Sequence, residues 1–337
     1  MSQILDCEFI KLESLDKTEW IEFLEKVNDP PFFSKVSMLR AVEALAWTVC
    51  LFIGRRDGRI SLAVPLATKK YGFFKIARGF PLGLYTGLIS LPNIGNLEKE
   101  DFLEKLIDAL KSYSSVSLFF DPFDNFSQQF MLNKINCEKF CSEYAASIVD
   151  LSISSEEIRS KYKHGVRKNI RQAIEKGVKI NEVTNVEELE QFYELATYIY
   201  KFHTKNMPYT FEFYERLFVS NEVKFLLAKV DGAVVGGSIH LSDALQSFNL
   251  LTVAYKNYNS FHSNTLLINH EIERAKVSGV HFYNLGASPL GGALISFKNS
   301  WGAKNIYYRT YQKNTNLYRL IDRVRHFVLV AMKLFLR

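Results

Sequence analysis

Residues 162–178 read YKHGVRKNIRQAIEKGV, and this stretch decides the fold of the second half of the chain. Just upstream, Ser154 and Glu157 have the spacing of a capping box, which marks the start of a helix. Apolar residues then recur at helical spacing, at Ile158, Tyr162, Val166, Ile170 and Ala173. Gly177 stands where a helix ends in a glycine cap. The pattern predicts one amphipathic helix between Ser154 and Gly177.

Helices and β-rich runs alternate beyond this helix. A continuous apolar side predicts a second helix at 187–203, and the Asp231-Gly232 pair predicts a tight turn between two strands. The predicted strands are 223–230, 233–241, 247–255, 280–285 and 305–311, and further helical stretches are 264–278 and 294–299. The first half repeats this layout loosely, with strands at 5–12, 47–55, 59–67 and 116–121 and helices at 18–27 and 99–112.

Three antiparallel strands, a helix, and a strand beside the third are the layout of an α/β acyltransferase sheet, although other α+β folds share parts of it. A chain of 337 residues is long enough for two domains of about 150 residues each. We therefore predict an α/β (α+β) protein with two tandem domains at 1–144 and 145–315. Mixed, mostly antiparallel sheets are expected, and a basic amphipathic helix is predicted at 316–337.

Two segments resemble the FemAB-like family of the GNAT acyltransferase superfamily. One is the stretch at 162–178, whose Arg-basic-Asn-Ile-Arg-x-Ala run is similar to a helix of that family. The other is FYNLGAS at 282–288, followed by FKNSWGA at 297–303. It resembles a family strand that ends in Asp-x-Gly-Gly before Phe-Lys-x-x-Phe-Gly. The resemblance covers about residues 145–312, and the first half shares only the layout.

The resemblance implies two GNAT-like domains and direct transfer of an acyl group to an amine of a cell-envelope sugar, peptide or lipid-linked precursor. The implied donor is acyl-CoA, with acetyl-CoA the first candidate, or aminoacyl-tRNA as in Fem-type peptidoglycan enzymes. Asn284 replaces the usual Asp of the family. The glycine-rich loop of ordinary acetyl-CoA users is missing between Tyr255 and Leu266, and no heptad arm typical of tRNA-dependent members is found. A non-catalytic GNAT-like module recruited to a membrane is a third alternative.

Arg159, Lys163, Arg167 and Arg171 form a basic stripe on the predicted helix, because they recur every four residues. Arg167 and Arg171 can clamp a phosphate or carboxylate by paired hydrogen bonds. The alternative is a solvated face on which Glu175 pairs with Arg171. The resemblance favours binding of substrate or cofactor by these arginines, and also by Asn284.

Lys298 lies among aromatic residues and glycines, where its ammonium group can stabilise a phosphate or the oxyanion of a tetrahedral intermediate. The alternative is that Lys298 is a surface lysine whose side chain lies over aromatic rings. Ser263 and Asn264 should begin the helix after the third strand, where free N–H groups attract anions or where the side chains act only as caps.

His203, close to Tyr209, is a candidate to deprotonate the incoming ammonium group, because an unperturbed histidine titrates near neutral pH. A structural histidine is the alternative. Together with Lys298, these two residues are the predicted catalytic candidates. His240 and Asp243 are weaker candidates. The residue pattern does not indicate a Ser-His-Asp or Cys-His constellation, so we expect transfer without a covalent enzyme intermediate.

The composition, with 47% hydrophobic and 23% charged residues, is that of a globular protein. A net charge of +6 suits anionic ligands or an anionic membrane surface, without a lysine/arginine block typical of nucleic-acid binding. The N-terminus lacks a signal-peptide pattern, so we expect a cytoplasmic protein with free cysteines. Cys137 and Cys141 lack a second Cys/His pair nearby, and we expect no metal.

The tail from Leu317 to Arg337 combines regularly spaced arginines with apolar residues. Such a helix can lie on the inner face of a membrane, or it can pack against the enzyme or a partner. No run of the chain reaches the roughly 20 apolar residues of a membrane span.

Overall fold

The computed structural model describes residues 5–81, 84–134, 144–202, 207–307 and 310–321. The chain forms two compact units that do not follow the sequence linearly. The first unit comprises Met1–Lys26, Trp47–Cys141 and Arg309–Arg337, and the second comprises Val27–Ala46 and Ser142–Tyr308. The linear domain boundaries at 144/145 and 315/316 stay a prediction.

Elements up to residue 134 follow in chain order: β1 (Asp6–Lys11), α1 (Lys17–Lys26), α2 (Val36–Glu43), β2 (Thr48–Arg56), β3 (Arg59–Tyr71), β4 (Phe74–Arg78), β5 (Ile89–Ser90), α3 (Asn96–Ala109), β6 (Ser115–Phe119) and α4 (Asn125–Lys134). Of these, α2 belongs to the second unit. The order continues with β7 (Tyr144–Asp150), α5 (Ser155–Lys161), α6 (His164–Glu175), β8 (Lys179–Glu182), α7 (Val186–Phe202), α8 (Phe211–Phe218), β9 (Val223–Val230), β10 (Ala233–Ser242), β11 (Gln246–Ala254), α9 (Ser263–Val277), β12 (Phe282–Pro289), α10 (Ala293–Asn299), β13 (Lys304–Tyr307) and β14 (Thr310–Asn314).

Each unit contains one mixed sheet. The first sheet has the order β1-β2-β3-β4-β6-β14, with β5 beside β3, and the second has the order β13-β7-β12-β11-β10-β9-β8. Only the pairs β4–β6 and β11–β12 are parallel among the described strands. The predicted α/β class with mixed, mostly antiparallel sheets is therefore confirmed. The predicted strand at 305–311 is instead two strands, because β13 and β14 pair in different sheets.

Apolar faces of helices and sheets form the cores. In the first unit, α3 buries Phe102, Leu103 and Leu106 against the sheet residues Phe52, Leu62 and Val116. In the second unit, α9 buries Ile268, Ile272 and Ala275 against Val149, Tyr283 and Leu285. Both helices were predicted from the sequence, at 99–112 and 264–278. Among the described residues, no helix is long and apolar enough to cross a bilayer.

The signature stretch departs from the prediction, because it forms two helices. Tyr162 and Lys163 have extended backbones (ψ 135° and 154°) between α5 and α6. The backbone N–H of Lys163 leaves the helix and donates to the carbonyl of Ser300 at 2.8 Å. This distant partner ends α5, which local periodicity could not reveal.

Candidate active site

The candidate active site lies in the second unit, where the parallel strands β11 and β12 part. Only residues Gln246–Phe248 of β11 pair with residues Phe282–Asn284 of β12, although the two strands continue to Ala254 and Pro289. Each strand has a bulge near this point. The register between β10 and β11 shifts between Ile239 and His240 of β10. The register between β12 and β7 shifts between Asn284 and Ala287 of β12. Because bulges bend strands and end pairing, the two strands separate beyond Phe248 and Asn284.

Gly286 shapes the bulge of β12. Its φ of 78° is in the left-handed region, which glycine adopts without strain. Asn284 is completely buried, and its Oδ1 accepts the N–H of Gly286 at 2.8 Å while its Nδ2 donates to Gln246 Oε1 at 2.9 Å. Both ends of the Asn284 side chain are therefore bonded within the protein, and the residue holds the bulge. Its role in substrate binding stays a prediction.

Lys298 on α10 places its ammonium group at the bulge. The residue is only 8% exposed, and its Nζ donates to the carbonyls of Gly286 at 2.9 Å and Ala287 at 3.2 Å. Burial lowers the pKa of Lys298 from 10.5 to about 8. Within the described part of the chain, no carboxylate lies within salt-bridge distance of it. The site thus holds a partly desolvated cation that loses its proton only above neutral pH.

Ser263 and Asn264 begin α9, as predicted. His262, in a left-handed conformation (φ 53°), precedes them and provides no side-chain cap. Ser263 is 2% exposed, and its hydroxyl has no hydrogen-bond partner among the described residues, whereas Asn264 is exposed. Nearby lysines contribute positive charge: burial lowers the pKa of His262, and Lys176 and Lys168 lower it further. The start of α9 is therefore electropositive.

The two arginines of the basic stripe contact the protein itself. Arg167 donates to the carbonyls of Ser160 and Tyr162, where α5 ends. Arg171 forms an ion pair with Glu175 at 3.6 Å, and its side chain is 72% exposed. The Arg171–Glu175 pair corresponds to the structural alternative, and the Arg167 contacts were not anticipated. Ligand binding by either arginine stays a prediction.

Tyr209 lies in an aromatic cluster. Its ring stacks on Phe213 at a centroid distance of 4.8 Å and lies 5.8 Å from Tyr214. Burial raises the pKa of Tyr209, so its hydroxyl keeps the proton at neutral pH. His203, the other predicted acid–base residue, lies outside the described residues, as do Cys137 and Cys141. The described residues contain no cluster able to hold a metal ion.

A buried polar network beneath α9 was not predicted. His240 Nε2 lies 2.8 Å from Ser238 Oγ, and His240 Nδ1 lies 3.7 Å from Glu271 Oε2; all three residues are completely buried. Arg274 donates to both oxygens of Glu271, at 2.8 and 2.9 Å. Glu271 among the apolar residues of α9 was the available sequence signal. Because Ser238, His240 and Glu271 are enclosed, we assign the network to holding the sheet and α9 together.

Asp243, the remaining weaker candidate, has a structural contact set as well. Its carboxylate accepts the N–H groups of Leu245 and Gln246 at 3.0 and 2.8 Å, and that of Phe32 at 3.2 Å. The Phe32 ring stacks on Phe248 at 5.9 Å. A segment from the first half of the sequence therefore packs against the end of the β11–β12 pairing.

Comparison with known proteins identifies the family and fold that this chain resembles. Residues 160–298 match the family described as "Acetyltransferase (GNAT) domain". The structure of FemX is similar over 93% of this chain and 99% of its own, with 14% identity and a TM-score of 0.68. The C-terminal domain of a putative lysylphosphatidylglycerol synthetase from Agrobacterium fabrum is similar over 91% of this chain and 95% of its own, with 12% identity and a TM-score of 0.60.

L-PGS from Bacillus licheniformis is similar over 94% of this chain and 97% of its own, with 14% identity and a TM-score of 0.56. No curated protein sequence gave a match. At these identities the structural likeness shows the fold alone. Residues 160–298 thus match the acetyltransferase (GNAT) domain family, the chain has a fold similar to that of FemX, and the predicted resemblance to GNAT acyltransferases of the FemAB-like type is confirmed.

Proposed function

We propose that the protein transfers an acyl group from acyl-CoA to an amino group of a cell-envelope sugar, peptide or lipid-linked precursor. The observation that supports this most is the ammonium group of Lys298 beside the parting of β11 and β12. Strands that part leave backbone groups free to bind an extended ligand. A nearby cation in sheltered surroundings stabilises negative charge more strongly than one in water.

The start of α9 is the proposed position of the donor phosphates. The first N–H groups of a helix lack intrahelical partners and attract anions. The unpartnered hydroxyl of Ser263 and the nearby charges of Lys168 and Lys176 fit this role. A 3-10 helix at Lys256–Phe261 stands where ordinary acetyl-CoA users have a glycine-rich loop. The phosphates would therefore bind to the helix start and lysines.

The proposed reaction is a direct transfer. A neutral amine attacks the acyl carbonyl, the new C–N bond forms, and the C–S bond breaks as the thiol leaves with a proton. Lys298 and backbone N–H groups hold the oxyanion of the tetrahedral intermediate. Before the attack, the acceptor's ammonium group gives one proton to water or to His203; the proton that the nitrogen loses after the attack is the one that leaves with the thiol. Tyr209 is less suited as a base, because its pKa is raised by burial.

The proposal of a cell-envelope acceptor is supported by two proteins of similar structure. One is FemX, and the other is the putative lysylphosphatidylglycerol synthetase from Agrobacterium fabrum, whose name specifies a lipid product. The location on the cytoplasmic side, with the C-terminal helix on the membrane, belongs to the same proposal. Aminoacyl-tRNA is the second candidate donor, favoured by the absence of a glycine-rich loop in residues 255–263. A non-catalytic module recruited to a membrane is the remaining alternative.

Calorimetric titration with acetyl-CoA and longer acyl-CoAs, followed by transfer assays with amine acceptors, tests the proposal. We expect saturable acyl-CoA binding. Lys298→Met should reduce the turnover rate about 10²-fold or more while donor binding persists. Lys17→Met, an exposed lysine on α1, is the matched control. No binding of any acyl-CoA would rule out this donor. Saturable, strongly salt-dependent binding of aminoacyl-tRNA would then establish the second.

The pH dependence separates catalysis by the cation from a structural role. If the charged form of Lys298 is needed, turnover should fall as the pH rises through about 8, because the group then loses its proton. Lys298→Arg keeps the charge at all accessible pH values and should move that fall to higher pH. An unchanged profile in Lys298→Arg would contradict the assigned role.

A further inference from the structure

The hairpin of β3 and β4 in the first unit ends in exposed aromatic residues. Tyr71 pairs with Phe74 across the strands, and Gly72 (φ 56°) and Phe73 form the turn. Tyr71 is 48% exposed and Phe73 is 74% exposed. Phe73 and Phe74 are in contact, with ring centroids 4.1 Å apart. Because turns usually carry small polar residues, large aromatic side chains at this tip indicate a surface that meets an apolar environment.

The charges of the hairpin all have one sign. Lys70 lies directly opposite Lys75 in the β3–β4 register, and like charges in such a pair destabilise a sheet. Residues 67–78 contain no Asp or Glu, but they also contain Lys69 and Arg78. The Lys69 Nζ lies 5.4 Å from the Tyr71 ring centroid. An anionic partner would relieve the repulsion between Lys70 and Lys75.

A second exposed segment of the same unit lies beside the hairpin. The ring of Tyr318 meets Phe74 edge to face, at 5.7 Å. Residues 316–321 are helical, and this segment also contains Arg319. Its exposed apolar side chains are Leu317, Leu320 and Ile321, which are 52%, 59% and 42% exposed. The hairpin and this segment together form a surface of aromatic, aliphatic and cationic side chains, which we call the hairpin surface.

We propose that the hairpin surface docks the protein on an anionic phospholipid bilayer. Aromatic side chains are favoured at the boundary between headgroups and acyl chains. Lysines can extend their apolar stems over that boundary while their ammonium groups reach the phosphates. Charge complementarity favours anionic lipid over a neutral apolar partner. This inference rests on the membrane location in the proposed function and extends it to the hairpin of β3 and β4. Lipid binding is measured without any donor or acceptor, so docking and acyl transfer can each fail alone.

Vesicle co-sedimentation of the full chain tests the docking. The probes are vesicles of phosphatidylcholine alone and of phosphatidylcholine mixed with phosphatidylglycerol. We expect binding only when phosphatidylglycerol is present, with weaker binding at high salt. The charge variant Lys70→Glu/Lys75→Glu and the aromatic variant Tyr71→Ser/Phe73→Ser should each lower the affinity about tenfold or more.

Matched controls lie elsewhere on the same unit. Leu97→Ser on α3, where the residue is 78% exposed, and Lys17→Glu on α1 should bind vesicles as the unchanged chain does. The midpoint of thermal unfolding shows whether each variant is folded. If the aromatic variant does not fold, the charge variant still tests the proposal. Binding to pure phosphatidylcholine, no binding to either vesicle, or unchanged binding of the hairpin variants would overturn the proposal. The proposal would also be overturned if the protein formed a dimer in lipid-free solution and both hairpin variants dissociated that dimer. The hairpin surface would then bind a second copy of this chain.

Discussion

Tyr162 meets Trp301 edge to face, with ring centroids 5.1 Å apart and planes at 76°. The contact joins the two segments that carry the family resemblance, which are far apart in the sequence. Close by, a Cβ atom added at Gly302 would lie 2.5 Å from the Cβ of Lys161, which is too close for a side chain at this position. Because Trp301 lies two residues after the end of α10, this packing anchors the helix that holds Lys298.

Trp301→Ala should lower the free energy of unfolding by about 3–5 kcal/mol, because Trp301 is completely buried. Urea unfolding measures the change. Phe297→Ala on α10 is the control, since that residue is 40% exposed and its truncation should cost less than about 1 kcal/mol. Equal effects of the two variants would contradict the central position of Trp301.

Arg167 and Arg171 should behave differently when replaced by alanine. Arg167→Ala removes the donor to the last carbonyls of α5 and should destabilise the protein by about 1 kcal/mol. Arg171→Ala removes only an exposed pair with Glu175, which contributes about 0.3–0.5 kcal/mol. Urea unfolding measures both. A larger loss for Arg171→Ala would show that its ion pair is more than a surface contact.

The buried network should make stability depend on pH. Burial lowers the pKa of His240 from 6.5 to about 4, although Glu271 opposes the shift. Between these pH values the unfolded chain binds a proton that the folded chain excludes. The free energy of unfolding should therefore fall as the pH decreases below about 6.5, by up to ~1.4 kcal/mol per pH unit. The pKa of Glu271 is also lowered, which adds to the loss at more acidic pH.

Urea unfolding at several pH values between 7 and 4 checks this slope. His240→Gln should flatten it, since no titrating group remains at that position. His281→Gln, at an exposed position, should leave it unchanged. The same slope in the His240→Gln and unchanged proteins would refute the assignment.

Two glycines offer a contrast in steric room. A Cβ at Gly236 would lie 2.8 Å from Ser263 Oγ, whereas one at Gly165 would have no atom within 4 Å. Gly236→Ala should cost about 1–3 kcal/mol and weaken donor binding at the start of α9. Gly165→Ala, inside α6, should stabilise the protein by about 0.5–1 kcal/mol. Unfolding and acyl-CoA titration measure these effects, and a neutral Gly236→Ala would disprove close packing against Ser263.

Local patterns predicted several elements well. The helical period of the apolar residues predicted α7 to within one residue at each end, and the Asp231-Gly232 turn predicted the hairpin of β9 and β10. The helix predicted at 264–278 is α9. These elements depend on neighbours in the sequence, so their signals are local. The short helix α2 was missed; it belongs to the second unit with the rest of residues 27–46, whereas residues 1–26 belong to the first.

The sequence by itself determined the mixed α/β class, the family resemblance and the choice of Lys298 as a catalytic candidate. Periodicity, turns and motif spacing are properties of neighbouring residues. Only the tertiary structure decided that the signature helix breaks at Tyr162, that Arg167 caps α5, and that Lys298 meets the bulge at Gly286. Each of these depends on a hydrogen bond or a close approach whose partner is set by three-dimensional packing. A one-dimensional pattern records the residue type but not the partner.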